Sequence, residues 1–149
     1  NQQYYKCIKS WVGGAWSDSL ALQAMNFQTK LTSLCALRGA TTCENNSVES
    51  ITLAVEELLT ELLSRNNLIP DQIISVTFSV TADLDACFPA SIARKRPGWE
   101  QIALLDCQQM FVRGDLSKCI RLLAYVFLPN EQTPQNPYIG RAKELRPDR

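Results

Sequence analysis

Residues 104–121, LLDCQQMFVRGDLSKCIR, decide how this chain is read. An apolar run enters a cluster of small polar and acidic groups, Asp106, Cys107, Gln108 and Gln109. It passes a turn at Gly114-Asp115 and leaves through Lys118-Cys119-Ile120-Arg121 into a second apolar run. Two strand ends therefore meet at one polar patch, which holds acceptors, amides and a fixed cation. It holds no histidine, and neither does the rest of the chain. Ser/His and Cys/His nucleophilic pairs and His-based metal sites are excluded on that ground. Chemistry at this patch has to rest on positioning, hydrogen bonds and guanidinium charge.

Working outward, Ile120 to Leu128 is a near-continuous apolar strand interrupted by Arg121. An arginine at the mouth of a buried strand is commonly a snorkelling or paired structural group, so the strand alone leaves its role open. On the other side, Ser75 to Thr81 alternates strictly, with Val76, Phe78 and Val80 on one face and hydroxyl residues on the other, the pattern of a half-buried strand. Phe88-Pro89 opens a short helix with proline in its first turn. Arg94-Lys95-Arg96 lies near its end, where positive charge suits the helix dipole, and Pro97-Gly98 stops it before Trp99. Further upstream, Asn46 with Glu49 reads as a capping-box start. Ile51, Val55, Leu58, Leu59, Leu62 and Leu63 then recur at helical spacing, and Asn66-Asn67 closes the helix. Leu34 to Leu37 reads as a short strand stopping at a turn around Gly39. After Leu128, Pro129, Pro134 and Pro137 mark a loop.

The order strand, helix, strand, short helix, strand, strand predicts one α+β domain of ferredoxin-like character. A small sheet with this many apolar strands has a further surface to cover, which oligomerisation would supply. With 149 residues, 46% of them apolar, the chain can bury one core. No apolar run approaches the ~20 residues of a membrane span. Fifteen basic and fifteen acidic residues cancel, so nothing electrostatic points to nucleic acid or an acidic membrane as partner. The six cysteines, at 7, 35, 43, 87, 107 and 119, show no C-x-x-C spacing and read as reduced thiols of a cytoplasmic or plastid-like compartment. Residues 1–31 differ in composition from the remainder of the chain; they read as an N-terminal extension, with a targeting segment the lesser alternative. A chain beginning at Met25 is expected to fold and function.

From Leu34 onward the residues bring a family into view. Residues 35–42, CALRGATT, are followed by Phe88-Pro89-Ala90, Arg94, Gly98-Trp99, Gln108 to Met110, Lys118 to Arg121, Tyr138 and Leu145-Arg146-Pro147-Asp148. In this order and spacing, over about three quarters of the sequence, they resemble the AroH-type monofunctional chorismate mutases. The resemblance implies a chorismate-mutase domain over 32–149 and a homotrimeric pseudo-α/β barrel with active sites at the subunit interfaces. It also implies the rearrangement of chorismate to prephenate, a pericyclic step needing no cofactor, metal or proton transfer.

The same resemblance gives Arg38 and Tyr138 to a substrate carboxylate and Arg121 to the ether oxygen on which charge develops. Phe88, Arg94, Leu145 and Arg146 would close the pocket, with Phe88 and Arg94 coming from the neighbouring chain. Three positions depart from the family pattern: Ser91 stands where lysine is frequent, Gln109 where a pocket glutamate is usual, and Asp106 where cysteine is common. Asp106 is therefore expected to supply the carboxylate that Gln109 lacks. That role needs a bulge or bend between the two, because positions i and i+3 of a regular strand face opposite sides. The other reading of Asp106 is a solvated strand-end acid or a partner of Arg113. These departures also leave open a trimer of the same fold that binds a small carboxylate without turning it over.

Overall fold

In the computed structural model, which describes residues 32–146 of the chain, the alternating segments form four strands of one sheet. Strand β1 spans Thr32–Thr42, helix α1 Val48–Asn66, β2 Ile73–Val80, helix α2 Pro89–Ala93, β3 Ala103–Gln108 and β4 Cys119–Pro129. Short 3-10 turns at Pro70–Gln72 and Gly140–Leu145 complete the set. The expectations for residues 1–31, Cys7 among them, and for the last three residues lie outside the described residues.

The sheet order is β1-β4-β2-β3, with β4 antiparallel to both its neighbours and β2 parallel to β3. Mixed α+β character stands, but the ferredoxin-like description is corrected. That motif runs β-α-β-β-α-β, whereas here β2, α2 and β3 make a crossover joining parallel strands, and the antiparallel β4 comes last.

Register decides which face each side chain takes. Gly39, Leu122, Phe78 and Asp106 form one row across the four strands, and Ala40, Arg121, Ser79 and Cys107 form the next. Successive residues of a strand point to opposite faces, so the two rows do too. The first face is covered: Leu37, Val76, Phe78, Ile120 and Ala124 share a buried core with Ile51, Val55, Leu58, Leu59 and Leu62 of α1. Trp99, buried after α2, extends the same core. The second face is open and carries exposed Leu34, Leu105, Tyr125 and Phe127 beside Arg38 and Arg121.

Two local readings change. Ser47, not Asn46, caps α1, its hydroxyl accepting from the Ser50 amide at 3.2 Å. The Asn46 side chain instead reaches the 85–86 backbone and the Asp85 carboxylate, tying the α1 entry to the β2–α2 loop. Strand β1 also runs through Gly39 rather than stopping there. Glycine is needed at that position for closeness, since a Cβ would meet the Leu58 side chain and the Pro137 carbonyl, both at 3.1 Å.

Candidate active site

Two adjacent strands and the returning C-terminal segment build the main cavity. Arg38 on β1 and Arg121 on β4 stand in neighbouring rows of the open face. After β4 the chain loops back to the outer edge of β1. There the Ala40 amide donates to the Pro137 carbonyl at 3.0 Å, and the Ile139 amide donates to the Ala40 carbonyl at 2.9 Å. This two-bond strip fixes Tyr138 beside β1, and the Arg38 amide donating to Asn136 Oδ1 at 2.7 Å fixes the approach. The 3-10 turn then carries Leu145 and Arg146 over the same place. The result is a cavity of about 300 Å³ lined by Arg38, Arg121, Tyr138, Leu145 and Arg146 around the Gly39-Ala40 backbone. Among the described residues neither Arg38 nor Arg146 has an ion-pair partner. Three guanidiniums with a phenol on so small a cavity suit a carboxylate-bearing molecule.

Arg121 is held from behind. Its Nη2 donates to both oxygens of Asp115 at 2.8 Å, and the Gln109 amide Nε2 donates to Asp115 Oδ2 at 2.7 Å. Asp115 sits on the loop between β3 and β4, just after Gly114, whose φ of +85° suits glycine and turns the chain. The Asp115 amide closes that turn on the Val112 carbonyl. At the loop's start the Gln109 amide donates to the Val80 carbonyl at 2.8 Å, and at its end Asp83 accepts from the Lys118 amide at 2.8 Å. Two atoms of the cluster, Gln109 Oε1 and Arg121 Nε, are buried without a hydrogen-bond partner. A second cavity of about 230 Å³ lies under this loop, with Gln109 and Asp115 in its wall.

Phe88, Arg94 and Asp106 are not part of either cavity lining. Phe88 precedes α2 and is 71% exposed, and Arg94 ends α2 at the surface. Asp106 accepts from the Ala90 amide at 3.0 and 3.3 Å, serving as the N-terminal cap that Phe88 cannot provide. Burial pushes its carboxyl up from the ordinary range, with the Ala90 amide and the Arg94 charge pulling it partly back. Within one chain, the expectation that Asp106 sits beside Gln109 and Arg121 is therefore corrected. The β2–β3 register runs unbroken through Phe78–Asp106, Ser79–Cys107 and Val80–Gln108, so no bulge carries Asp106 to the face of Arg121. Arg96 is likewise structural, paired with Glu56 and Thr60 of α1.

Asp115 is the residue that sequence reasoning misses, because beside Gly114 it reads as a turn former. A signal is present: a missing carboxylate at 109 directs attention to acids on both sides, and strand parity sets Asp106 against that role. The thiols are quiet by comparison. Burial pushes Cys43 up to about 11 and raises Cys119 as well.

The fold and the cavity define a small α+β protein with an arginine-lined cavity on an open sheet face. A family model for chorismate mutase type I matches residues 34–149, and the chain belongs to that family. It is 35% identical over 114 residues to the chorismate mutase AroH of Bacillus subtilis (strain 168), covering 75% of this chain and 89% of that one. It is 38% identical over 117 residues to the chorismate mutase AroH of Thermus thermophilus, covering 75% and 93%. A solved chorismate mutase from Clostridium thermocellum superposes with a TM-score of 0.68 at 39% identity, over 74% of this chain and 98% of that one.

Proposed function

We propose that this chain is a chorismate mutase that rearranges chorismate to prephenate in phenylalanine and tyrosine biosynthesis. The observation that carries the reading is the cavity in which Arg38, Arg121 and Arg146 converge with Tyr138. A pericyclic rearrangement exchanges no proton and forms no enzyme bond, so catalysis reduces to two tasks. The dianionic substrate has to be held in a compact reactive conformer, and the charge growing on the breaking ether oxygen has to be met by a donor already in place. Arg38 with Tyr138 suits the first task. Arg121, clamped by Asp115, suits the second, because its orientation is fixed before the charge appears. Leu145 and Arg146 would cover the mouth.

The assembly belongs to the same proposal. Exposed Leu34, Leu105, Tyr125 and Phe127 on the uncovered sheet face support burial against other copies. A trimer with shared sites would bring Phe88 and Arg94 of one chain to the cavity of the next. A cytoplasmic location fits the five described cysteines, none of them in a disulfide. Among the described residues no helix is long and apolar enough to cross a membrane.

One observation favours a second reading. Gln109 leaves the cluster without the glutamate usual in the family, and a trimer that binds a small carboxylate without converting it would tolerate that loss. Following chorismate absorbance with purified protein separates the two: turnover establishes the mutase, and saturable binding without turnover establishes the binder.

A further inference from the structure

We infer that Asp115 is a positioning residue that takes over the charge missing at Gln109, by locking both that amide and Arg121 into their working orientations. The inference rests on the chorismate mutase reading and deepens it. A carboxylate accepts hydrogen bonds and donates none when ionised, so the end of the Gln109 amide that faces it must be Nε2. That choice sends Oε1 the other way, where it is buried and unpartnered. The same carboxylate takes Nη2 of Arg121 with both oxygens and leaves Nε buried and unpartnered. One acid thus presets two open positions of opposite kind: an acceptor on residue 109 and a donor on residue 121.

Buried polar atoms are normally paired, and exceptions call for a partner to be supplied. A ligand with a hydroxyl and an ether oxygen provides both partners, the hydroxyl donating to Oε1 and the ether oxygen accepting from Nε. Chorismate carries that pair of groups. Without Asp115 the amide is free to flip, presenting a donor to a hydroxyl that should be donating, and the guanidinium loses its anchor. The exchange also explains how a neutral glutamine is compatible with catalysis: the negative charge sits one hydrogen bond further back, on the loop rather than at the strand end.

The experiment compares wild type with Asp115→Asn, Gln109→Glu and the double variant carrying both. Asp115→Asn should lower kcat about 10²-fold with a smaller change in KM, since the loss falls on groups that act as charge develops. Gln109→Glu alone should also be impaired, because it sets two carboxylates against each other. The double variant, which moves the charge back to residue 109, should regain most of the turnover. A loop-anchoring role alone would lower the melting temperature of Asp115→Asn and of the double variant alike, with no rescue, and would overturn the inference. So would an unimpaired Asp115→Asn. Side-chain ¹⁵N–¹H signals of Gln109 and Arg121, recorded without substrate, read the positioning separately. Both should be resolved and slow to exchange in wild type and should broaden in Asp115→Asn; unchanged signals would overturn the positioning. Wild-type protein inactive on chorismate would overturn the catalytic part along with the reading it rests on, while these signals still decide the locking.

Discussion

The two faces of the sheet are made by the same four strands and have opposite characters. On the covered face, alternate residues of β1, β2 and β4 meet α1, and Leu37, Val76, Phe78, Ile120 and Ala124 are all buried. On the open face, one residue along in each strand, Arg38 and Arg121 sit among exposed Leu34, Leu105, Tyr125 and Phe127. A single step of strand parity therefore separates groups that stabilise the chain from groups proposed to bind and assemble. Substitutions on the first face should be read in stability, and substitutions on the second in turnover or association.

Phe78→Ala should have the largest effect. Truncating a fully buried aromatic ring costs about 3–5 kcal/mol, lost burial and residual cavity together, so urea unfolding should show a marginal or unfolded chain. A Phe78→Ala protein nearly as stable as wild type would break the assignment of this face as core. Arg121→Ala should come next, and in rate rather than stability. Removing a preorganised donor from developing charge typically slows turnover roughly 10²- to 10³-fold. Its melting temperature should move far less than that of Phe78→Ala, because the Arg121 side chain is 35% exposed. Arg121→Lys should recover part of the rate, since one ammonium cannot hold Asp115 and also present a fixed guanidinium edge. Near-normal turnover of Arg121→Ala would remove the proposed mechanism.

Leu105→Lys probes the open face without touching the cavity. If copies of the chain bury Leu105, which is 61% exposed in one chain, the substitution forfeits about 1.5–3 kcal/mol per contact and places a charge there. Sedimentation at micromolar concentration should show wild type as one species of three chains and the variant as smaller species. An intact trimer in Leu105→Lys, or a wild-type protein that is active as a monomer, would refute this use of the face.

Much of this division is legible in the sequence, because periodicity is a local signal. The alternation at 75–81 names the buried side of β2 correctly, and the helical spacing from Ile51 to Leu62 names the face of α1 that packs on it. The order of elements is also readable, but the sheet order is not: it depends on which strands pair across long separations, as β1 with β4 and β2 with both β3 and β4. At the site, Arg38, Arg121, Tyr138, Leu145 and Arg146 are found by their motifs, and the structure gathers them in one cavity. The acid partner escapes the same reading because a turn hides it. Asp115 faces Arg121 through a loop whose path depends on Gly114, Lys118 and Asp83, and no strand or helix period registers a loop's path.

Asp106 gives the smallest expected effect and the sharpest test of parity. It lies in the row of Phe78 and Leu122, holding the Ala90 amide, while its neighbour Cys107 shares the row of Arg121. If that placement governs its role, Asp106→Asn should keep turnover within a few-fold of wild type, because asparagine retains an oxygen for the Ala90 amide. The signature should appear in the pH dependence of stability. Burial raises the folded carboxyl above its ordinary value of 3.8, so the folded chain holds this proton more tightly than the unfolded one. A raised acid contributes stability below its unfolded value and loses it as pH rises through the folded value. Wild type should therefore fare best relative to Asp106→Asn at the acid end, and its advantage should shrink as pH rises through the carboxylate range. Urea unfolding of both proteins, from about pH 3.5 to 7, measures the difference directly. A gap that widens with pH would mean that the Ala90 amide and Arg94 outweigh burial. A collapse of turnover in Asp106→Asn comparable to that expected for Asp115→Asn would show that Asp106 acts in a cavity after all, and since its own Arg121 is on the other face, that cavity would belong to a neighbouring chain.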